Sequence, residues 1–264
     1  MTPQILQLSD GAAVRLRDLG DGEPILLIHG VGMRLEAWEP QIAALSTRWR
    51  VLAADMPGHG ESDPLPEGAG LADFVAWAAR LIETLACGPV NLVGHSMGAL
   101  IASGVAIERP ELVRRLALLN AVHRRTPVAR AAVLARAEDI AQGRTGIESA
   151  LERWFGPGDE AVRDHVADWF RTIDQQGYLA AYRAFARGDT VYADRLGEIA
   201  VPALLLTGEN DPNSTPAMSR AMAALMPRGE ARIVDGHRHM VNLTAPEMVT
   251  AALEDLLARE EACP

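Results

Sequence analysis

The sequence predicts an α/β domain built on a doubly wound, mostly parallel sheet with a helical cap insertion. Three observations carry that expectation. Short apolar runs alternate with longer segments of helical period, the pattern of strand–helix units. The runs are apolar almost throughout rather than alternating, as strands covered on both faces must be. The alternation then stops between about residues 122 and 195, where no strand pattern is found and helical patterns crowd together.

Taken in order, residues 5–8 and 12–18 alternate apolar and polar positions and read as an antiparallel edge hairpin. "ILLIHG" (25–30), "VLAAD" (51–55), "VNLVGH" (90–95), "LALLN" (116–120), "ALLLTG" (203–208) and "ARIV" (231–234) read as the buried strands. "LADFVAWAARLIETLA" (71–86) and "PEMVTAALEDLLA" (246–258) repeat apolar residues at three and four and read as helices. Thr244 and Glu247 have the spacing of a capping box at the second of these. The domain division expected is a core of 1–121 and 196–264, with 122–195 as the cap. That segment holds Trp154, Phe155, Trp169, Phe170, Tyr178, Tyr182 and Phe185, and is expected over the carboxyl edge of the sheet, where open α/β folds bind ligands.

Composition removes several classes of function. The 264 residues are 48% hydrophobic and 23% charged, enough for a sizeable core. A net charge of −10 argues against a nucleic-acid or anionic-membrane surface. All 25 cationic side chains are arginines, so a Schiff-base lysine, a phosphate-loop lysine and a lysine base are excluded. Cys87 and Cys263 have no metal or redox spacing and read as plain thiols. The N-terminus has no signal-peptide pattern, and no apolar run nears the roughly 18 residues of a membrane span. A soluble, cytoplasmic protein is expected.

The chemistry is concentrated in "LVGHSMGAL" (92–100). Gly94-His95-Ser96-Met97-Gly98 has the G-x-S-x-G form between a predicted strand and an apolar helix, the context in which that motif presents a serine nucleophile. Small residues are needed two positions either side, because a β-carbon there would collide with the neighbouring strand or helix. A nucleophilic serine also needs donors for the oxyanion it creates. The Met97 amide is one, at a helix N-terminus that favours negative charge. The loop in "LLIHGVGM" (26–33) supplies the second, from Val31, with Gly32 in reserve. The same loop, followed by Asp55, is half of a dinucleotide fingerprint, but Leu35 stands where the third glycine belongs.

These motifs resemble the α/β-hydrolase family over nearly the whole chain. "HGVGM" resembles its oxyanion loop, "DMPGHGESD" (55–63) the next turn, "GHSMG" its nucleophile elbow, "GENDP" (208–212) its acid turn and "HMVNLTAPE" (239–247) its histidine loop. The resemblance implies the α/β-hydrolase fold and a triad in the order serine, acid, histidine. Asp211 takes the acid position, with Glu209 and Asp235 as neighbours to be weighed against it. Of His237 and His239, the family's spacing to the last helix selects His239, seven residues before Pro246. His29, His59 and His95 fall in family turn motifs and are read as structural.

Serine at the elbow argues against the branches that carry aspartate there, haloalkane dehalogenases and epoxide hydrolases. The chain looks most like 3-oxoadipate enol-lactonases and related small-molecule esterases, through residues 37–63, "RWFGP" (153–157) and "GYLAAYRAFARGD" (177–189). The implied activity is hydrolysis of a small ester or enol-lactone through an acyl-enzyme. Carbon–carbon hydrolases of the meta-cleavage type, cofactor-free perhydrolases and triad-bearing receptors are the alternatives; the first usually has tryptophan where Met240 stands. Arg34, Arg124, Arg125 and Arg238 lie near predicted pocket edges, where a guanidinium would hold a substrate carboxylate, and cap aromatics such as Trp154 would form the apolar wall. No metal or organic cofactor, nucleic acid or membrane partner is expected, and homo-oligomer formation is left open.

Overall fold

The structure, a computed structural model, describes residues 2–144 and 147–259. The predicted edge hairpin is β1 (Gln4–Gln7) and β2 (Ala13–Leu19). Then come β3 (Pro24–Ile28), α1 (Glu39–Leu45), β4 (Arg50–Ala54), α2 (Leu71–Leu85), β5 (Val90–His95), α3 (Met97–Glu108) and β6 (Val113–Leu119). Four helices follow without a strand among the described residues: α4 (Pro127–Ala141), α5 (Glu148–Trp154), α6 (Glu160–Arg171) and α7 (Gln175–Gly188). The chain closes with β7 (Ala203–Gly208), α8 (Pro216–Leu225), β8 (Gly229–Val234), the short α9 (Val241–Thr244) and α10 (Pro246–Leu257).

The eight strands form one sheet in the order β1-β2-β4-β3-β5-β6-β7-β8. The β1–β2 and β2–β4 pairs are antiparallel and all others are parallel. Successive residues of a central strand serve different layers, because strand side chains alternate faces. Leu26 and Ile28 join the cluster under α2, α3 and α8, whereas Ile25 and Leu27 join the one under α1 and α10. Both faces are therefore covered, and this is why the strands read as continuous apolar runs.

β3 lies between β4 and β5, so the winding reverses there and a crevice opens beyond the strand ends. A third cluster roofs that crevice. Ala150, Leu151, Trp154, Phe155, Val166 and Ala167 from α5, α6 and their junction meet Met33, Ala37 and Met240 from the core loops. The capping box expected at the last helix does not form. Ala245 occupies the N-cap without a side-chain bond, and Thr244 Oγ1 instead meets His237 Nδ1 at 2.9 Å. Among the described residues no helix is long and apolar enough to cross a membrane.

Candidate active site

Ser96 stands on the turn between β5 and α3 with φ 54° and ψ −111°, a conformation that costs a non-glycine residue of order 1–3 kcal/mol. The surroundings hold it there. A Cβ on Gly94 would lie 2.1 Å from the carbonyl oxygen of Gly98, and one on Gly98 would lie 2.2 Å from that of Ile28 in β3. Only glycine at both positions lets helix, turn and strand approach this closely.

The side chains reached from three loops form one hydrogen-bonded chain. The Ser96 hydroxyl lies 3.1 Å from His239 Nε2, and His239 Nδ1–H donates to Asp211 Oδ2 at 2.7 Å. The carboxylate fixes the tautomer, leaving Nε2 free to accept the serine proton. Asp211 Oδ2 also accepts from Asn120 Nδ2 at 2.7 Å, and Oδ1 accepts from the amides of Asn213 and Ser214 at 2.8 and 3.1 Å. Burial would push this carboxyl up, but the charge and hydrogen bond of His239, then Asn120 and the Asn213 amide, hold it below its ordinary value. This arrangement can activate a hydroxyl by general-base action and carry the resulting imidazolium.

The two alternatives for the acid face solvent. Glu209 is exposed and accepts the Gly236 amide at 3.0 Å, and Asp235 is exposed. His237 turns to Thr244, so it is His239 that faces the serine. His95 donates from Nε2 to the His239 carbonyl at 2.8 Å and so braces the histidine loop. His29 accepts the Met56 amide at 2.9 Å, and His59 accepts the Gly32 amide at 3.0 Å. Burial drives these three rings down, to about 4 for His29 and about 3 for His59 and His95, so they stay neutral.

The bond from Gly32 also bears on the oxyanion donors. With the Gly32 amide committed to His59, the Val31 amide is left without a hydrogen-bond partner among the described residues. Met97 is the first residue of α3, where N–H groups have no intrahelical acceptor. Met97 follows Ser96 in the chain, and Val31 lines the same cavity as Ser96. The dinucleotide reading has no support here, since the Asp55 carboxylate is buried against Arg15 Nη1 (2.8 Å) and the Leu35 amide (2.6 Å).

Ser96 and His239 open onto a cavity of about 250 Å³ between the sheet edge and the cap. Trp154 lines it, stacks on the His239 ring at 6.4 Å and accepts the His239 amide through its carbonyl at 3.2 Å. Three of the four arginines expected at the pocket lie outside it. Arg34 pairs with Glu36 at 3.7 Å and does not line the cavity. Arg124 is exposed and paired with Asp194. Arg238 donates to the carbonyls of Glu152 and Phe155 at 2.6 and 2.9 Å, satisfying open acceptors at the C-terminus of α5 and tying the cap to the histidine loop. Arg125 does line the cavity, as do Arg136 and Arg153, which the sequence reading missed. Asn120 was missed too; its one signal is a polar residue closing the apolar run of β6. Cys87 is a half-buried free thiol, and Cys263 lies outside the described residues.

A family model described as "Alpha/beta hydrolase family" matches residues 25–252. The chain belongs to the alpha/beta hydrolase family. Among curated relatives of this alpha/beta hydrolase is the (E)-2-((N-methylformamido)methylene)succinate hydrolase of Acinetobacter baylyi, 50% identical over 96% of this chain and 97% of that one. The 2-(acetamidomethylene)succinate hydrolase of Mesorhizobium japonicum is 30% identical, over 92% of this chain and 91% of its own. Among solved structures, the enol-lactonase of Burkholderia xenovorans superposes with a TM-score of 0.87 at 26% identity, covering 97% of this chain and 100% of that one.

Proposed function

We propose that this hydrolase uses Ser96 as nucleophile, His239 as general base and acid, and Asp211 as the group that orients His239, to cleave the acyl–nitrogen bond of a small amidomethylenesuccinate. The observation that carries the mechanism is the continuous chain from Ser96 Oγ through His239 to Asp211 at the floor of the cavity. The substrate class is supported by the two relatives named for such compounds. Each name describes a succinate whose 2-methylene carbon bears an amide nitrogen.

In the first half-reaction Ser96 Oγ attacks the acyl carbon while His239 Nε2 takes the hydroxyl proton. The amides of Val31 and Met97 bind the oxyanion. Collapse breaks the carbon–nitrogen bond, and His239 returns the proton to the departing nitrogen. That nitrogen is conjugated through the double bond to a carboxylate, which weakens the amide and makes the enamine a competent leaving group. Water, deprotonated by His239, then attacks the acyl-serine and releases a carboxylic acid with Ser96 restored.

Hydrolysis of a small ester or enol-lactone is the second reading, supported by the likeness to the enol-lactonase. The same residues would serve it, with oxygen as the leaving atom. Incubation with 2-(acetamidomethylene)succinate separates the two. Loss of the enamide absorbance with one acetate released per molecule, abolished in Ser96→Ala, is the expected result. Intact substrate beside a rapidly opened lactone would favour the second reading, and loss of the substrate with its acetyl group still on nitrogen would refute the first.

A further inference from the structure

The cavity lining contains three arginines and no aspartate or glutamate among the described residues, in a chain whose net charge is −10. Each guanidinium is held differently. Arg125 is 6% exposed, 3.1 Å from Asp189 Oδ1 through Nη1, and stacked 4.4 Å over the Phe185 ring. Its Nη2 is buried and has no hydrogen-bond partner. Arg136 is positioned through Nε by the Tyr182 hydroxyl at 3.1 Å and has no carboxylate partner among the described residues. Arg153 has neither a hydrogen bond nor an ion pair among them. Burial, and then the charge of Arg136, lowers the Arg153 guanidinium from its ordinary value, so the two cations repel across the site.

Arg136 and Arg153 are half-buried, and cationic groups that converge on one cavity without counter-ions are relieved by an anion of matching charge. The one carboxylate behind them, Asp189, is already shared by Arg125 and Arg130. Arg136 and Arg153 are therefore left without a carboxylate partner among the described residues. All three arginines belong to the segment from the end of β6 to α5, on the cap side of the cavity. Arg153 directly precedes Trp154, the ring stacked on His239. A departing atom that takes its proton from His239 lies on the side of that ring where Trp154 stacks, which directs the leaving half of the substrate toward Trp154 and the adjacent Arg153.

We propose that Arg125, Arg136 and Arg153 form a receptor for two carboxylates and that both carboxylates belong to the leaving half of the substrate. Arg125 meets one through its open Nη2, and Arg136 with Arg153 clamp the other. This rests on the mechanism proposed above and adds how the dianion is recognised and oriented.

The test uses O-acetylmalate, whose two carboxylates sit on the leaving alcohol, its neutral dimethyl ester, and monomethyl succinate, whose carboxylate sits on the acyl side. The wild-type protein is expected to prefer O-acetylmalate to both. In Arg136→Gln and Arg153→Gln the preference for the dianion over its dimethyl ester should fall about ten- to hundredfold, as loss of a charged hydrogen bond implies. Arg153→Lys keeps the charge but not the two-point geometry and should recover part of it. Arg124→Gln, outside the cavity, should match the wild type. Protection of Ser96 from a fluorophosphonate probe by methylenesuccinate gives the same comparison without turnover. Equal handling of dianion and diester, unchanged discrimination in both variants, or preference for monomethyl succinate would overturn the receptor. Turnover surviving Ser96→Ala would instead overturn the mechanism on which it rests.

Discussion

Replacing Asn120 with glycine removes the side-chain amide that supports the candidate triad from behind. Asn120 sits at φ 49° after β6, and its Nδ2 donates to Asp211 Oδ2 at 2.7 Å, to Thr207 Oγ1 at 3.2 Å and to the Arg238 carbonyl at 3.3 Å. Glycine takes this backbone conformation without steric cost, so Asn120→Gly removes the amide group alone. A hydrogen bond to a buried carboxylate contributes about 1.5–3 kcal/mol, which corresponds to roughly ten- to hundredfold in rate if the bond holds Asp211 in its working position. The remaining bonds from His239, Asn213 and Ser214 should keep the effect within that range. The assay is the second-order rate of Ser96 labelling by a fluorophosphonate, which reads the activation of the hydroxyl without a substrate. Asn120→Ala should slow labelling equally but be about 1–2 kcal/mol less stable than Asn120→Gly, because alanine is strained at this φ. Labelling within twofold of wild type in both variants, with folding intact, would refute the role given to Asn120.

The histidine pair gives a second test. His239→Ala should cost about 10⁴-fold in kcat, as Ser96→Ala does, because the two act as a unit, whereas His237→Ala should cost less than about tenfold; the reverse order would contradict the assignment. Asp211→Asn should lower kcat by roughly 10³–10⁴ with Glu209→Gln nearly silent, as measured by steady-state kinetics. Gly98→Ala places a methyl 2.2 Å from the Ile28 carbonyl oxygen and 2.7 Å from that of His29, so urea denaturation should show a loss of about 3 kcal/mol or more, and unchanged stability would disprove the close approach. For pH, the lowered values of His29, His59 and His95 mean that the unfolded chain binds protons the native one refuses. Their contribution is complete well above pH 6.5 and is lost progressively as pH falls toward 3, with a slope rising toward about 4 kcal/mol per pH unit for three protons; a flat unfolding free energy between pH 7 and 5 would contradict their burial as neutral rings.

Much of the core could be read from the sequence because its signals are local. The elbow is specified by two glycines that the backbone itself demands, and the strands by apolar runs that only a doubly covered sheet needs. α8 passed unnoticed, although Thr215 caps it by accepting the Met218 amide at 3.4 Å and Pro216 opens it. The arginines show where local reading stops. Arg124 and Arg125 are adjacent, yet Arg124, at φ 44°, points to Asp194 in solvent while Arg125 is buried over Phe185. Which of two neighbours enters a cavity is decided by a partner some sixty residues away, and no period or spacing encodes that. Arg238 lies beside the candidate base but finds the carbonyls of α5, whose proximity is purely tertiary. Asn120 and Arg136 carry no motif, and each is defined by what it touches.

The most direct test of the account is to trap the intermediate. The protein is mixed with 2-(acetamidomethylene)succinate, quenched in acid during turnover, and mapped by peptide mass spectrometry. The account predicts an acetyl group on the peptide containing Ser96, absent from Ser96→Ala and accumulating when water attack is slowed in His239→Ala variants pre-acylated with an activated ester. Sustained acetate release by Ser96→Ala, or an acetyl group carried on any other residue during turnover, would contradict it.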